Sequence, residues 1–319
     1  HLTISHNTPA RTIPIRFIDV PSVKKPGKKG SEEEWNVYRI QSKQVNLSTK
    51  FVEEVRHLRK ALDDMGNVEK TLLMAVDGSF CNKTCMNLNV PRVHIIARCR
   101  RDAKLCFRAS PGSRRIYDAQ KFSPEEIRKD ASIPWKTANV FYGGQRREIR
   151  YKEVNKVLWQ NGTKEKPLRL IVLAPLPYVR GGRRNYRNPA YLLTTDLEGD
   201  VELLIQAYFD RWQIEYNHRD EKSILGVGEA QVRNEWSVDR EPALHVAAYS
   251  ALLLASIIAY DDMPHGDFGD TPRWRRKPKR NTCRALVGML RGCIIENPDV
   301  IVKLGLTVGS IAGILRKAA

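Results

Sequence analysis

Negative charge is scarce in this chain: 36 Asp and Glu stand against 54 Lys and Arg, a formal net charge of +18 and a pI near 9.7. Such an imbalance points to a polyanionic partner, nucleic acid above all. Cysteine pairing is missing too. Six cysteines are scattered without CxxC spacing, and Cys81 and Cys85 have no second Cys/His pair at finger distance. A zinc finger is thereby excluded, and reduced cytosolic thiols are the simpler account. No signal peptide is expected at the start. Only one long apolar run occurs, Ala243 to Tyr260, and it carries His245, Ser250 and Ser256. It barely reaches spanning length and reads as a buried core helix rather than a membrane span.

What is present can fill a core: 319 residues, 42% of them hydrophobic, suffice for about two structural units. Residues 1–19 read as two strands joined by a turn at Pro9, and 21–34 as a charged loop. Phe51, Val55, Leu58 and Leu62 share one face of a helix over 48–65, with Ser48 as its cap. Thr71 to Val76 is a short apolar run suited to a fully buried strand, and it ends in Asp77-Gly78-Ser79. The next strand is expected at Val93 to Ala97, where His94 reads as a satisfied core histidine. Between 106 and 190, short β-like runs alternate with Gly, Pro and Arg, and one acidic helical piece starts at Ser123-Pro124. This stretch reads as a β-rich insertion, after which Tyr191 to Thr194 returns to the main sheet.

The most informative segment lies between Tyr208 and Lys222. One helix is expected there, starting at Asp200. At about 100° per residue, Tyr208, Arg211, Glu215 and Lys222 fall within about 60° of one another. Leu203, Ala207, Ile214 and Leu225 mark the adjoining core face. An acid among cations beside a buried face can sit next to bound phosphate. Coupled with an aspartate at a strand end, it suits metal-dependent phosphoryl transfer, in which hard cations take oxygen ligands from separate elements.

With those residues in place, the chain resembles the DDE transposases of bacterial insertion sequences, in the group with a Y-x2-R-x3-E-x6-K signature. Tyr208, Arg211, Glu215 and Lys222 match all three spacings. The flanks are similar as well: Tyr-Leu-Leu-Thr-Thr-Asp at 191–196, Arg-Trp-Gln-Ile-Glu at 211–215, and Gly-Val-Gly-Glu-Ala-Gln-Val-Arg at 226–233. Asp-Gly-Ser-Phe at 77–80, with the strand that follows it, resembles the family's second acid and its neighbour, so the likeness covers nearly the whole chain.

The resemblance implies an α/β, RNase H-like mixed sheet flanked by helices, with the β-rich insertion between the second acid and the glutamate. Residues 1–105 would form the first part of the core, 106–190 the insertion, 191–260 the second part with the signature helix, and 261–319 a basic loop and helical tail. It implies DNA cleavage and strand transfer through two Mg²⁺ ions (Mn²⁺ being an alternative), with Asp77 and Glu215 as catalytic metal ligands. Tyr208, Arg211 and Lys222 would hold DNA phosphates, with Arg219, Gln231 and Arg233 as further contacts. The clusters Arg180, Arg183, Arg184, Arg187 and Arg273 to Arg280 could track a backbone. Trp212 and Tyr216 read as packing residues. The partner implied is double-stranded DNA, at transposon ends and target, bound by a dimer in the bacterial cytoplasm near the nucleoid, with no membrane.

One departure stands out. No strand ahead of Asp77 offers the family's first aspartate: residues 1–19 resemble the family's second and third strands, and Asp19 is the nearest acid. The expectation is that the first aspartate lies upstream of His1 in a longer protein. Two other readings follow: a non-catalytic, DNA-binding remnant of such an enzyme, and a basic RNA-binding protein without chemistry.

Overall fold

The computed structural model describes residues 1–4, 10–18, 20, 23–261 and 280–296. The chain opens with β1 (Leu2–Ile4) and β2 (Arg11–Ile13), followed by α1 (Glu32–Gln44), α2 (Leu47–Asp64), β3 (Leu72–Val76), α3 (Lys83–Met86) and β4 (Val93–Arg98). Next come β5 (Leu105–Arg108), β6 (Tyr117–Phe122), α4 (Pro124–Lys129), β7 (Lys136–Tyr142), β8 (Gln145–Val157) and β9 (Leu168–Leu173). The remainder is β10 (Pro177–Arg180), β11 (Arg183–Tyr186), β12 (Ala190–Thr194), α5 (Val201–Asp210), α6 (Gln213–Ser223), α7 (Glu235–Tyr260) and α8 (Cys283–Glu296). Two compact units result: a sheet unit spanning Asp19–Trp212, and a helical unit of His1–Ile18 with Gln213–Ala319.

The sheet unit is mixed α/β. Its six-stranded sheet runs β3-β4-β12-β9-β8-β7, with β3 and β4 parallel and the other pairs antiparallel. Alternate side chains on a strand face opposite sides, so β4, β12 and β9 feed two cores at once. Ile95, Ala97, Leu193, Leu170 and Val172 join Val52 and Val55 of α2 on one face. Ile96, Leu192, Ile171 and Leu173 join Leu204 and Ile205 of α5 on the other. The continuous apolar runs of these strands follow from that two-sided burial.

Several expectations need correction here. The stretch 106–190 is not a body apart from the sheet, because β7, β8 and β9 supply half of its strands. Only the two-stranded pairs β5–β6 and β10–β11 stand outside it. Residues 71–76 do form a strand, but β3 is the sheet's edge among the described residues and only Val76 is fully buried. Asn46 caps α2, accepting from the Ser48 amide at 2.8 Å, so Ser48 sits inside the helix. His94 is not satisfied: its Nδ1 is buried without a partner among the described residues. Ser123 does open α4, through a capping box with Glu126.

Buried polar groups pin the connections. Arg59 donates to the carbonyls of Lys70 and Asn67 and to Asp63, at 2.5, 2.9 and 2.7 Å, which fastens the turn between α2 and β3. Lys152 is 2% exposed; its ammonium donates to the Ile127 and Asp130 carbonyls at the end of α4 and lies over the Trp135 ring. The free edge of β7 is covered by side chains instead of a strand. Glu202 of α5 accepts from the Asn139 amide at 2.7 Å, and Gln206, one turn on, accepts from the Phe141 amide at 2.7 Å. An edge capped in this way offers no template for another strand.

In the helical unit, β1 and β2 form their own antiparallel pair, not strands of the six-stranded sheet, and the turn at Pro9 lies outside the described residues. Ile13, Tyr249, Leu253, Cys283 and Leu286 make the core of this unit. The helix α7 is the one helix among the described residues long and apolar enough to cross a membrane by length and composition. It was expected as a buried core helix, yet it buries only Val246, Tyr249, Leu253 and Ser256, one stripe, while Leu244 and Ile258 are 69% and 77% exposed. The expected helical tail lies largely beyond Glu296, outside the described residues.

Two outcomes follow. Glu202→Ala and Gln206→Ala each strip a β7 amide of its acceptor and should each lower unfolding free energy by about 1 kcal/mol, read as a shifted urea midpoint at constant slope. The second concerns Glu125, whose carboxylate takes two hydrogen bonds from Arg128 and one from the Tyr191 hydroxyl. The Arg128 guanidinium holds it down at about 2, from an ordinary 4.5. The folded state therefore binds this proton less readily than the unfolded chain, so the stabilisation is present above about pH 4.5 and lost as pH falls towards 2. Glu125→Gln should flatten the stability profile across that window.

Candidate functional site

Asp77 stands at the carboxyl end of β3 in the sheet unit. Its backbone is extended, and its side chain accepts from the Gly78 amide at 2.6 Å, capping the single 3-10 turn Gly78–Phe80. Gly78 packs closely there: a Cβ at that position would lie 3.3 Å from the Arg98 carbonyl, so the neighbouring strand would have to give by a few tenths of an ångström. Asn82 then ties this turn to α2 by donating to the Ser79 carbonyl and the Ser48 hydroxyl, each at 2.8 Å. The Asp77 carboxylate is exposed, and among the described residues it pairs with no cation.

The Tyr-Arg-Glu-Lys signature does not ride on one helix. α5 ends at Asp210, where the Trp212 amide turns back to the Phe209 carbonyl in a tighter i→i+3 bond, and α6 begins afresh at Gln213. Tyr208 and Arg211 close the sheet unit, whereas Glu215 and Lys222 belong to the helical unit. Tyr208 packs partly against the α5 side of the sheet, and the Arg211 Nε is buried without a partner among the described residues. The core face of α5 is Val201, Leu204 and Ile205; Leu203, expected there, is 59% exposed. Asp200 caps α5 as expected.

On α6, Glu215, Arg219 and Lys222 are all exposed and share a stripe within about 60°. Arg219 pairs with Asp220 at 3.2 Å and lies over the Tyr216 ring, 5.2 Å from its centroid. Trp212 and Tyr216, expected as packing residues, are 49% and 44% exposed. After α6 the chain turns at Gly226, whose φ of 75° lets the Val227 amide reach the Glu221 carbonyl. Gln231 and Arg233 follow, both exposed, in the loop before α7.

The opposite side of α6 holds polar residues that sequence patterning missed. Asn217, 6% exposed, donates to the Thr12 carbonyl at 2.8 Å and its hydroxyl at 3.1 Å. The Tyr249 hydroxyl reaches Asn217 and Asp220, both at 3.4 Å, and burial pushes that phenol well above its ordinary value. Glu221 is 2% exposed and meets His218 at 2.9 Å. Arg280 donates to Gln213 at 2.8 Å and to the Ala10 carbonyl, so it serves the fold, while 273–279 of its basic cluster lie outside the described residues. These bonds fix the roll of α6 and so turn its Glu-Arg-Lys stripe outward. A second missed acid, Asp210, is buried against Gln206, and desolvation raises its carboxyl above the ordinary range.

As metal ligands, Asp77 and Glu215 have the right chemistry, an exposed carboxylate for a hard cation. Their number is short: among the described residues no three His, Cys, Asp or Glu side chains gather into a group that could hold a metal, and Asp19 lies outside those residues. No protein-family model matches this chain, and no curated protein matches it.

Asn217→Ala would leave the Thr12 carbonyl without its donor beneath α6. It should lower stability by about 1–3 kcal/mol, measured as a shifted denaturation midpoint.

Proposed function

We propose that this chain is the RNase H-like catalytic part of a DNA transposase of the Asp-Asp-Glu kind, cleaving and joining DNA strands at insertion-sequence ends. The observation that carries this reading is the exposed stripe of α6, on which Glu215 and Lys222 stand at the signature's seven-residue spacing with Arg219 on the same face. A helix that merely gripped phosphate would gain nothing from the acid. Asp77 supports the reading from the sheet unit, where a strand end and a closely packed glycine present a carboxylate to solvent. The excess of 18 positive charges supports a polyanionic substrate, and double-stranded DNA is the one assigned.

In this reading Asp77 and Glu215 hold Mg²⁺ or Mn²⁺, and the ions, when bound, supply Lewis-acid activation of a water or a DNA 3′-hydroxyl. The chain's own residues do the rest. Tyr208, Arg211 and Lys222 position phosphates, and Arg219, Gln231 and Arg233 extend the contact along the backbone. A second reading is a DNA-binding remnant without catalysis, which would keep the exposed cations of α6 and need no metal.

The test is cleavage of supercoiled plasmid with and without Mg²⁺, beside DNA binding. Asp77→Asn and Glu215→Gln should each reduce Mg²⁺-dependent nicking on the order of 100-fold or more, since even outer partners of metal sites count for 10- to 100-fold. DNA affinity should stay within about twofold, because neither substitution removes a cation. Binding with no nicking by the unaltered chain selects the remnant. Undiminished nicking by Glu215→Gln refutes the active-site assignment.

A further inference from the structure

The link between β9 and β12 carries no acid. From 166 to 195, thirty residues hold six Lys or Arg and no Asp or Glu. At its centre β10 and β11 form a separate two-stranded ribbon, turned by Gly181 and Gly182 with φ of 56° and 75°. Two successive positive φ values give the tight turn whose twist matches a hairpin. The ribbon is exposed on both faces: Val179 at 73% and Tyr186 at 58% on one, Arg180 and Arg183 on the other. Nothing about core packing accounts for it.

Register assigns its faces. Tyr178 pairs with Asn185 and Arg180 with Arg183, and the ladder continues through the Arg187 amide to the Leu176 carbonyl. Tyr178, Arg180, Arg183, Asn185 and Arg187 thus share one face, and Val179, Arg184 and Tyr186 the other. Arg180 and Arg183 stand directly opposite each other, a like-charge pair that destabilises an isolated ribbon. No carboxylate among the described residues offsets it. Each aromatic ring has an arginine over one face: Arg184 lies 5.4 Å from the Tyr186 centroid and Arg187 5.5 Å from that of Tyr178. A ring face taken by a guanidinium is not free for an unstacked base, which disfavours single strands.

Register also locates the ribbon's root. Val76 is level with Ala97, Ala97 with Leu193, and Leu193 with Leu170. The root, Leu173 opposite Ala190, lies beyond the same end of the sheet at which Asp77 leaves β3. With strands about 4.8 Å apart and about 3.3 Å per residue, Asp77 and the root are separated by roughly 12 Å, and the ribbon extends about 13 Å further.

We propose that the β10–β11 ribbon is a duplex-DNA grip. It enters the major groove, about 12 Å wide and able to admit a two-stranded ribbon, with Arg180, Arg183 and Arg187 on the flanking phosphates. It thereby holds the duplex at the Asp77 end of the sheet. The phosphates supply the negative charge that the opposed arginines lack. This rests on the DNA reading above and names a contact that the signature residues do not provide.

The experiment is duplex-DNA binding by the full chain at several NaCl concentrations, comparing the unaltered protein, R180S/R183S/R187S and R184S. The triple variant should lower the slope of log K against log salt by about 2.7, three phosphates at about 0.9 each. R184S, on the opposite face, should leave the slope unchanged. The triple variant's thermal midpoint should not fall, since a repulsion is relieved; a fall would indicate a structural role and overturn the proposal. If the unaltered chain binds duplex DNA and the triple variant keeps its slope, the grip is wrong while the DNA reading stands. If the unaltered chain does not bind duplex DNA, the DNA reading fails and takes the grip with it. Equal binding and equal slope loss on duplex RNA, whose deep major groove excludes a ribbon, would also overturn the groove assignment.

Discussion

The sheet unit depends on the two-sided burial of β4, β12 and β9. Each alternates apolar side chains between the α2 face and the α5 face, so a one-residue slip in register would exchange the two cores. That constraint fixes every rung between Val76 and Leu173, and with it the level at which Asp77 and the ribbon root leave the sheet. The charged features outside the core inherit their positions from this apolar register.

The two ends of the sheet are finished differently. At β7, Glu202 and Gln206 satisfy the outward amides, and the edge is closed. At β3, the described residues offer no such cover, although Leu72 and Met74 pack on one face and Leu73 and Ala75 on the other. A strand apolar on both faces is ordinarily interior. Its two apolar faces explain why sequence patterning took it for fully buried, although it is an edge among the described residues.

Charge is divided by location. Where cations are buried or half-buried they are consumed by the fold: Arg59, Lys152 and the half-buried Arg280 each end on backbone carbonyls. Where they are exposed on α6 and the β10–β11 ribbon, Lys222, Arg180 and Arg183 are left to solvent or to a polyanion. A net charge alone cannot make that distinction, since Arg280 looked in sequence like part of a surface cluster.

Much of the sheet unit was legible in the chain. The strands around Met74, Ile95 and Leu192, the Asp77 strand end, and the caps Ser123 and Asp200 are local features, set by apolar runs and by side chains that bond their own backbone. The division of 208–222 was not legible, because the break between Asp210 and Gln213, marked by an i→i+3 bond at Trp212, leaves the spacing of polar residues unaltered. Nor was the membership of β7, β8 and β9 in the main sheet, since pairing partners are chosen over long sequence separations by which apolar face meets which. The sequence by itself determined the apolar strand runs and caps such as Ser123 and Asp200, since these follow from chemistry within a few positions. Only the tertiary structure decided which acids and arginines are spent on the interior and which face outward, because burial depends on what distant segments bring alongside.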